Sequence, residues 1–373
     1  MSVTSVPERV RLRLWGKAAG RCEYEGCSER LWLDTLTQVE FNVAYVAHII
    51  ADSADGPRGD EDLSPKLKAE LSNLMLLCDK HHRLVDKEQV KEHSVERLQR
   101  MKREHEDRME LLGDLKPDKQ SHVLLYGANI GDQSAALSLR SAAQAMLPEW
   151  YPAESRALEI GLRNSSVTDR SADYWRLEQI HLQGMVAQQV RPRLAQGDIR
   201  HLSIFGLAPQ PLLTLLGCLL SDIPAAEVYQ RHREPPGWRW KEDSGSASYE
   251  FSEPREISGP PALIFSLSAT VSDERVLAVM PNATIWRVSI KNPHNDFLES
   301  RRQANEFRAV MRRALDRIKV LHGQSATIHV FPAMPVALAI ELGRIRMPKA
   351  DLPFAIYDED RANGGFRHAL SVE

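Results

Sequence analysis

Two metal-binding patterns overlap in the segment 77–86, which reads LCDKHHRLVD. Cys78 and His81 are three residues apart in it, and Cys22 and Cys27 are five apart near the start of the chain. Two such pairs, each on a tight turn, have the spacing of a four-coordinate structural zinc site of the Cys3His type. The alternative is that the three thiols are buried and free. The sequence therefore predicts an N-terminal region whose segments are cross-linked by a structural zinc ion.

A second set of residues is left over once the zinc ligands are assigned. His48, Asn73 and His82 follow one another in the order His, Asn, His, and Asp86 lies four residues after His82. Positions four apart share one face of a helix, so Asp86 is a candidate second ligand for a metal bound by His82, the alternative being a surface charge. An imidazole can be neutral at physiological pH and take a proton from water, which an unperturbed carboxylate does poorly.

These residues resemble the HNH endonucleases of the ββα-metal class. The resemblance rests on the segments 46–50 (VAHII), 71–74 (LSNL) and 77–86. It implies that His48 ends a strand and is the general base, that Asn73 braces the loop between two strands, and that His82 on the next helix binds a catalytic metal. The chain departs from the pattern at Ala47, where many members have an Asp or His metal ligand.

The two metals have separate tasks on this interpretation. A hard divalent cation such as Mg²⁺ would neutralise charge on the scissile phosphate and on the departing 3′ oxygen. The Zn²⁺ held by the Cys3His set would do no chemistry, since a short ββα unit has too little core to hold its geometry without a staple. The alternative is a zinc ribbon that binds without catalysis, although such a module requires neither the Asn nor the second His.

Length and composition limit the remaining possibilities. The chain has 373 residues, which is too long for one core and predicts two or three domains. Its net charge is −3, so any contact with DNA has to come from a local patch. Neither an apolar run of bilayer length nor a signal-peptide pattern is evident. Three of the four cysteines belong to the zinc pattern, which favours a reducing, cytoplasmic location.

The predicted domain boundaries depend on one long helix. It begins at Ser94, a candidate N-cap, runs to Leu112 and is closed by Gly113. Residues 1–113 are therefore assigned to the HNH domain, 114–120 to a linker and 121–373 to a second domain.

Strands and helices alternate twice along the second domain, in pseudo-repeats of about 121–232 and 260–373. The best-matching segments are 203–211 (SIFGLAPQP) and 328–335 (IHVFPAMP), each a strand with a proline-bearing turn before an apolar helix. Two α/β halves with parallel strands follow from this, so the fold class is α+β: a ββα-metal unit and a duplicated, Rossmann-like α/β domain. The predicted strands are 122–126, 158–162, 201–205, 227–229, 263–268, 285–290, 327–331 and 354–357, and the predicted helices are 134–146, 174–194, 212–220, 297–321 and 336–342.

This duplicated body behind an HNH unit resembles the SAVED domain, a fusion of two CARF-like halves found in bacterial anti-phage effectors of the cyclic-oligonucleotide (CBASS) type. The resemblance implies a dormant nuclease that a cyclic di- or trinucleotide messenger switches on. The partners that it implies are the messenger, double-stranded DNA as substrate and further copies of the chain, from dimer to tetramer on activation, with no membrane.

A ligand site in the second domain is expected beyond the carboxyl ends of the strands, where loop amides and helix N-termini point at anions. No phosphate-binding or catalytic motif is evident there, which favours sensing over catalysis. The turns at these positions are small or polar, and ordinary turn chemistry is the alternative explanation. The candidate messenger-binding residues are Gly127, Asn129, Ser165, Pro209, Ser268, Thr270, Lys291 and Met334.

The sequence thus predicts a messenger-activated, metal-dependent endonuclease that cuts double-stranded DNA with little sequence preference. Two alternatives stay open. A restriction-type HNH enzyme whose C-terminal domain reads modified DNA would cleave without a messenger. A non-catalytic, zinc-containing regulator would bind DNA and leave it uncut.

Overall fold

The computed structural model describes residues 5–34, 36–131, 137–162, 167, 169, 171, 173–241, 245–360 and 365–373. The chain divides into two compact units, Met1–Lys116 and Pro117–Glu373, and the division falls inside the predicted linker, 114–120. No helix in the described part of the chain is both long and apolar enough to cross a bilayer.

The first unit contains a two-stranded hairpin followed by a short helix. Its helices and strands are α1 Glu8–Lys17, β1 Tyr45–His48, α2 Leu63–Leu67, β2 Leu74–Leu77, α3 Asp79–Arg83 and α4 Val95–Asp114. β1 and β2 are antiparallel, with Tyr45 opposite Leu77 and His48 opposite Leu74. All four residues of β2 are buried, and α3 runs directly into a π-helical turn, Leu84–Glu88. The order strand, strand, helix therefore spans 45–88.

The long helix that was predicted to begin after Ser94 is α4. The Ser94 hydroxyl accepts a hydrogen bond from the backbone N–H of Arg97, as an N-cap residue does. The predicted stop at Gly113 is wrong, because the helix continues through Gly113 and ends at Asp114. A glycine ends a helix when it takes the left-handed conformation, and Gly113 does not have a positive φ.

The second unit contains two α/β sheets. Its helices are α5 Leu139–Met146, α6 Tyr174–Met185, α7 Arg191–Gln196, α8 Gln210–Leu220, α9 Asp273–Leu277, α10 Arg301–His322 and α11 Val336–Ile345. Its strands are β3 Gln120–Gly127, β4 Tyr151–Pro152, β5 Leu158–Glu159, β6 Leu202–Leu207, β7 Ala226–Tyr229, β8 Glu250–Ser252, β9 Pro261–Ser266, β10 Thr284–Ser289, β11 Ile328–Phe331, β12 Phe354–Asp360 and β13 Gly365–Val372.

The first sheet has the order β4-β3-β6-β7, with β5 also beside β3, and its strands are parallel. The second sheet has the order β13-β12-β11-β9-β10-β8. Its four inner strands are parallel, so the predicted parallel arrangement is confirmed for them. The two edge strands were not predicted: β8 pairs antiparallel with β10, and β13 pairs antiparallel with β12.

Several predicted elements of the second unit differ from the structure. The predicted helix 297–321 begins only at Arg301, after the capping residue Ser300. The predicted helix 174–194 is interrupted: α6 passes into a π-helical turn, Val186–Val190, before α7 begins with a proline in its first turn. The predicted helix 134–146 begins only at Leu139, capped by Ser138, and its predicted first residue, Ser134, lies outside the described residues. The predicted strand 158–162 is reduced to the two residues of β5.

The helices that follow the two matched segments, α8 and α11, pack against each other. A Cβ on Gly217 would lie 2.0 Å from the carbonyl oxygen of Ile340, and a Cβ on Gly343 would lie 2.0 Å from that of Thr214. The contacts are reciprocal, since each glycine meets the residue three positions before the other. The two helices therefore cross with local two-fold symmetry, at a separation that only glycine permits.

Candidate functional site

The predicted Cys3His set comes together in the structure. The ligand atoms of Cys22, Cys27, Cys78 and His81 all lie within 4.8 Å of one another. The Nδ1 atom of His81 is 3.2 Å from the Sγ of Cys78 and 3.6 Å from the Sγ of Cys22. A tetrahedral zinc ion with Zn–S bonds of about 2.3 Å holds its ligand atoms roughly 3.5–3.8 Å apart. The spread of the donors and their chemical types therefore fit zinc.

Local backbone structure positions the sulfur ligands. Cys22 and Cys27 flank a tight turn in which the N–H of Cys27 donates to the carbonyl of Tyr24 at 3.0 Å. Cys78 is the N-cap residue of α3, and its backbone N–H points at the Sγ of Cys22 at 3.4 Å. Burial raises the pKa of the Cys22 and Cys78 thiols, so a bound cation is what would stabilise them as thiolates.

Two aromatic residues that sequence reasoning missed support His81. The ring of Tyr24 stacks on that of His81 with centroids 4.1 Å apart. The Tyr24 hydroxyl lies 3.0 Å from Nε2 of His93, whose Nδ1 lies 2.8 Å from the carbonyl oxygen of Gln89. Because a carbonyl only accepts, the neutral His93 ring donates from Nδ1 and accepts from Tyr24 at Nε2. Neither residue has a metal-motif spacing, so no sequence signal could have found them.

His48 ends β1 and is 8% exposed. Its Nε2 atom lies 2.9 Å from the carbonyl oxygen of Lys68. Since that carbonyl can only accept, Nε2 carries the proton of the neutral ring and Nδ1 keeps a lone pair. This is the tautomer that a general base needs, because the free nitrogen can take a proton from water.

Asn73 closes the connection between β1 and β2. Its Oδ1 accepts from the backbone N–H of Ile50 at 2.8 Å, and its Nδ2 donates to the carbonyl oxygens of Ile50 at 2.8 Å and Leu67 at 3.2 Å. The side chain is buried, so each of these bonds would be costly to lose. Asn73 therefore has the contacts that a loop brace needs.

His82 and Asp86 are neighbours on the helical segment after β2. His82 Nε2 lies 3.3 Å from Asp86 Oδ2, and the ring of Tyr45 stacks on His82 with centroids 4.6 Å apart. The other carboxylate oxygen of Asp86 accepts from Nη2 of Arg58 at 2.6 Å. Burial acts to raise the pKa of Asp86, but the hydrogen bonds from His82 and Arg58 outweigh it and hold the pKa below its ordinary value.

The candidate catalytic residues do not form a compact ligand cluster. In the described part of the chain, the Cys3His set is the only group of three or more His, Cys, Asp or Glu side chains placed so that they could share one metal ion. Ala47 is buried in β1 and supplies no donor. Because Nε2 of His82 faces Asp86, the ring nitrogen of His82 that is left for a divalent cation is Nδ1. It fits a divalent ion whose other ligands are water and phosphate oxygens.

The candidate messenger-binding residues follow the carboxyl ends of parallel strands, except Ser165, which lies outside the described residues. The two halves meet at one point of this edge, where the N–H of Met334 donates to Oε1 of Gln210 at 3.1 Å. The Met334 side chain is 2% exposed, so it belongs to the core. The described candidates are Gly127 and Asn129 at the end of β3, Pro209 after β6, Ser268 and Thr270 after β9, Lys291 after β10 and Met334 after β11.

Sequence reasoning did not predict a group of buried polar atoms on the end of β3, on α6 and on β13. The Tyr126 hydroxyl, Trp175 Nε1, Glu178 Oε2 and Arg367 Nε are buried and have no hydrogen-bond partner among the described residues. The Arg367 guanidinium lies 5.9 Å from the Trp175 ring, and burial raises the pKa of Glu178 to about 7. Buried polar atoms of this kind normally bond to ordered water or to a ligand.

The fold defines the class of the second unit as a duplicated, Rossmann-like α/β domain. Residues 182–372 match the family model described as the SMODS-associated and fused to various effectors sensor domain, SAVED. The match covers half of the chain, so this protein belongs to the SAVED family of sensor domains. No curated protein matches the chain significantly.

Several solved structures resemble the chain. The Acinetobacter baumannii Cap4 SAVED/CARF-domain containing receptor with the cyclic trinucleotide 3′3′3′-cAAA has a TM-score of 0.43 and 11% identity, over 74% of this chain and 56% of that one. The same receptor with 2′3′3′-cAAA has a TM-score of 0.43 and 13% identity, over 74% of this chain and 55% of that one. The Moraxella osloensis Cap4 SAVED/CARF-domain containing receptor has a TM-score of 0.40 and 13% identity, over 76% of this chain and 63% of that one. The match thus spans little more than half the length of these receptors.

Proposed function

We propose that this protein is a metal-dependent DNA endonuclease effector of CBASS-type anti-phage defence. It degrades double-stranded DNA, with little sequence preference, after its SAVED unit has bound a cyclic di- or trinucleotide. The observation that carries the nuclease proposal is the geometry of His48, whose Nε2 is tied to the Lys68 carbonyl so that Nδ1 is free to accept a proton.

The other residues of the first unit support this role. Asn73 holds the loop that follows His48, and His82 offers a nitrogen for a divalent ion such as Mg²⁺. When bound, that ion would stabilise negative charge on the scissile phosphate. The Cys3His set, with zinc, would keep β1, β2 and α3 in place and take no part in the reaction.

Membership of a sensor family supports the messenger proposal. The carboxyl ends of parallel strands from both halves are the expected place for an anionic ligand. The unpartnered buried atoms of Tyr126, Trp175 and Glu178 in the first half and of Arg367 in the second supply hydrogen-bonding groups close to that edge. A messenger that binds better to an assembled form would drive homo-oligomers, from dimer to tetramer, by its difference in affinity.

The test is cleavage of plain double-stranded plasmid in Mg²⁺, with and without a panel of cyclic di- and trinucleotides. Wild-type protein is expected to cut only with one messenger. His48→Ala is expected to lose cleavage by at least about 100-fold, since general base catalysis contributes on that scale, while still binding the messenger.

The matched control is His368→Ala, which removes an exposed histidine of the second unit and is expected to leave cleavage unchanged. Cleavage by wild type without any messenger would favour a restriction-type enzyme. DNA binding without cleavage under every condition would favour a non-catalytic regulator. Full activity of His48→Ala would remove the assigned base.

A further inference from the structure

Arg58 lies in the connection between β1 and β2, and its side chain is only 7% exposed. Its Nε donates to the carbonyl of Ile49 at 2.7 Å and its Nη2 to the carbonyl of His48 at 3.3 Å. On the other side, Nη1 donates to the carbonyl of Val85 at 3.0 Å and Nη2 to Oδ1 of Asp86 at 2.6 Å. The guanidinium of Arg58 thus donates to four acceptors, two at the end of β1 and two on the π-helical turn Leu84–Glu88.

These contacts join the two elements that carry the candidate catalytic histidines. The His48 and Ile49 carbonyls mark the end of β1, and Val85 and Asp86 lie on the π-helical turn just after His82. A guanidinium is rigid and presents its N–H donors in a fixed fork. Hydrogen bonds to both elements therefore fix the distance between them, and the positive charge of the guanidinium is held beside Asp86. Arg58 therefore sets the separation between the strand of the base and the helix of the metal ligand.

The same contacts define what Asp86 can do. Its Oδ1 is engaged by Arg58 at 2.6 Å, and its Oδ2 faces Nε2 of His82 at 3.3 Å. If Nε2 of His82 donates to this carboxylate, the lone pair of the neutral ring is on Nδ1. A carboxylate that receives the outer N–H of a metal-binding histidine fixes the ring and its tautomer without touching the metal.

We propose that Arg58 and Asp86 are positioning residues: Asp86 orients His82 towards a divalent cation without ligating it, and Arg58 holds Asp86 and the end of β1 at a fixed separation. This assignment rests on the proposed nuclease function. It replaces the sequence-based idea that Asp86 is a second metal ligand, and it predicts that the two residues act as one unit.

The test uses the full-length chain and Mn²⁺ as the probe. Binding is measured by calorimetry with duplex DNA present and no messenger, so that phosphate oxygens are available and the DNA stays uncut, and steady-state cleavage is measured under conditions in which wild type cuts. The variants are His82→Ala, Asp86→Asn, Arg58→Lys and the double variant, with Arg103→Lys as control because Arg103 is an exposed residue of α4. Zinc content and melting temperature report separately whether each variant is folded.

His82→Ala is expected to abolish Mn²⁺ binding at this site. Asp86→Asn is expected to keep one Mn²⁺ per site, with affinity or kcat reduced about 10- to 100-fold and KM for DNA unchanged, as for other residues that orient a metal-binding histidine. Arg58→Lys is expected to lower kcat by a similar factor. The kcat of the double variant is expected to lie within about threefold of the kcat of the less active single variant, because the effects of residues in contact are not additive.

Loss of Mn²⁺ binding in Asp86→Asn equal to that in His82→Ala would overturn the assignment and make Asp86 a ligand. Full kcat in Arg58→Lys, or additive losses in the double variant, would also overturn it. These results differ from failure of the nuclease proposal, in which wild type itself would neither bind Mn²⁺ at this site nor cleave DNA.

Discussion

The two units of this chain differ in the contacts that join their distant segments. In the first unit, distant segments around an apolar core are joined by the Cys3His set, whose donors fit zinc, and by the buried polar side chains of Asn73 and Arg58. In the second unit they are joined by apolar packing and by the close contact of Gly217 with Gly343. A region that is held by specific chemistry can be recognised from the residues of that chemistry. A region that is held by packing reveals its fold but not its site.

The largest expected effect tests the contribution of zinc to the first unit. Cys78→Ser removes one of four ligands, and structural zinc contributes roughly 10–16 kcal/mol of apparent binding free energy in small peptide units. That exceeds the stability of a typical domain, about 5–15 kcal/mol, in most cases. We therefore expect the variant to lose zinc and the first unit to unfold, as measured by zinc content and calorimetry.

Cys218→Ser is the matched control for that experiment, because Cys218 lies on α8 in the second unit. It is expected to retain zinc and an unchanged first unit. Normal zinc content and melting in Cys78→Ser would contradict the view that metal holds this unit together.

A smaller effect is expected from the packed helices of the second unit. Gly217→Ala would place a Cβ 2.0 Å from the Ile340 carbonyl oxygen, and overpacking of this kind costs about 3 kcal/mol. Gly184→Ala in α6 is the control, because its Cβ would meet nothing within 4 Å. It is expected to be neutral or to stabilise by up to about 1 kcal/mol, since alanine is the better helix former.

Denaturant unfolding of the two glycine variants checks this prediction. The expected outcome is a lower midpoint for Gly217→Ala and an equal or higher one for Gly184→Ala. Equal midpoints for Gly217→Ala and wild type would mean that the crossing of α8 and α11 tolerates separation and does not control the stability of the second unit.

The smallest expected effect concerns a polar exception within the apolar unit. Burial raises the pKa of Glu178 to about 7, so the folded state binds this proton more tightly than the unfolded state does. Its contribution to stability is therefore full at pH below about 4.5 and is lost as the pH rises to about 7. In wild type, the free energy of unfolding should therefore fall by an amount on the order of 2 kcal/mol between pH 5 and 8, and we expect this fall to be absent in Glu178→Gln.

The measurement is the melting temperature of wild type, Glu178→Gln and Glu250→Gln across that pH range. Glu250→Gln is the control, because it changes an exposed carboxylate on β8. Glu250→Gln should follow the wild-type curve. Parallel curves for wild type and Glu178→Gln would show that the carboxyl of Glu178 is not buried in solution.

The sequence predicted that Cys22, Cys27, Cys78 and His81 come together, because the types and order of metal-binding residues are set by coordination chemistry. It missed Arg58, since an arginine between two glycine-containing turns has no distinguishing pattern, and its role depends on carbonyls from segments that are distant in sequence. It also left Asp86 as a ligand or a surface charge, and the structure shows a third state, a carboxylate bound on both oxygens.

In the second unit the sequence predicted the repeated strands and helices, because apolar runs and proline-bearing turns recur in both halves. It missed the antiparallel strands β8 and β13, since pairing direction depends on where the chain returns and not on the residues of the strand. It also missed Glu178 and the burial of the Tyr126 hydroxyl. A buried polar residue on an apolar face has no spacing rule, and it is recognised only when its surroundings are known.

The junction between the two halves has an evolutionary consequence. Gln210 and Gln230, both in the first half, accept hydrogen bonds from the backbone N–H groups of Met334 and Ala337 in the second. Duplicated halves on one polypeptide can diverge independently, whereas identical subunits must change together. Selection at these contacts acts on the glutamine side chains of one copy, while positions 334 and 337 can exchange for any residue that packs and retains an N–H.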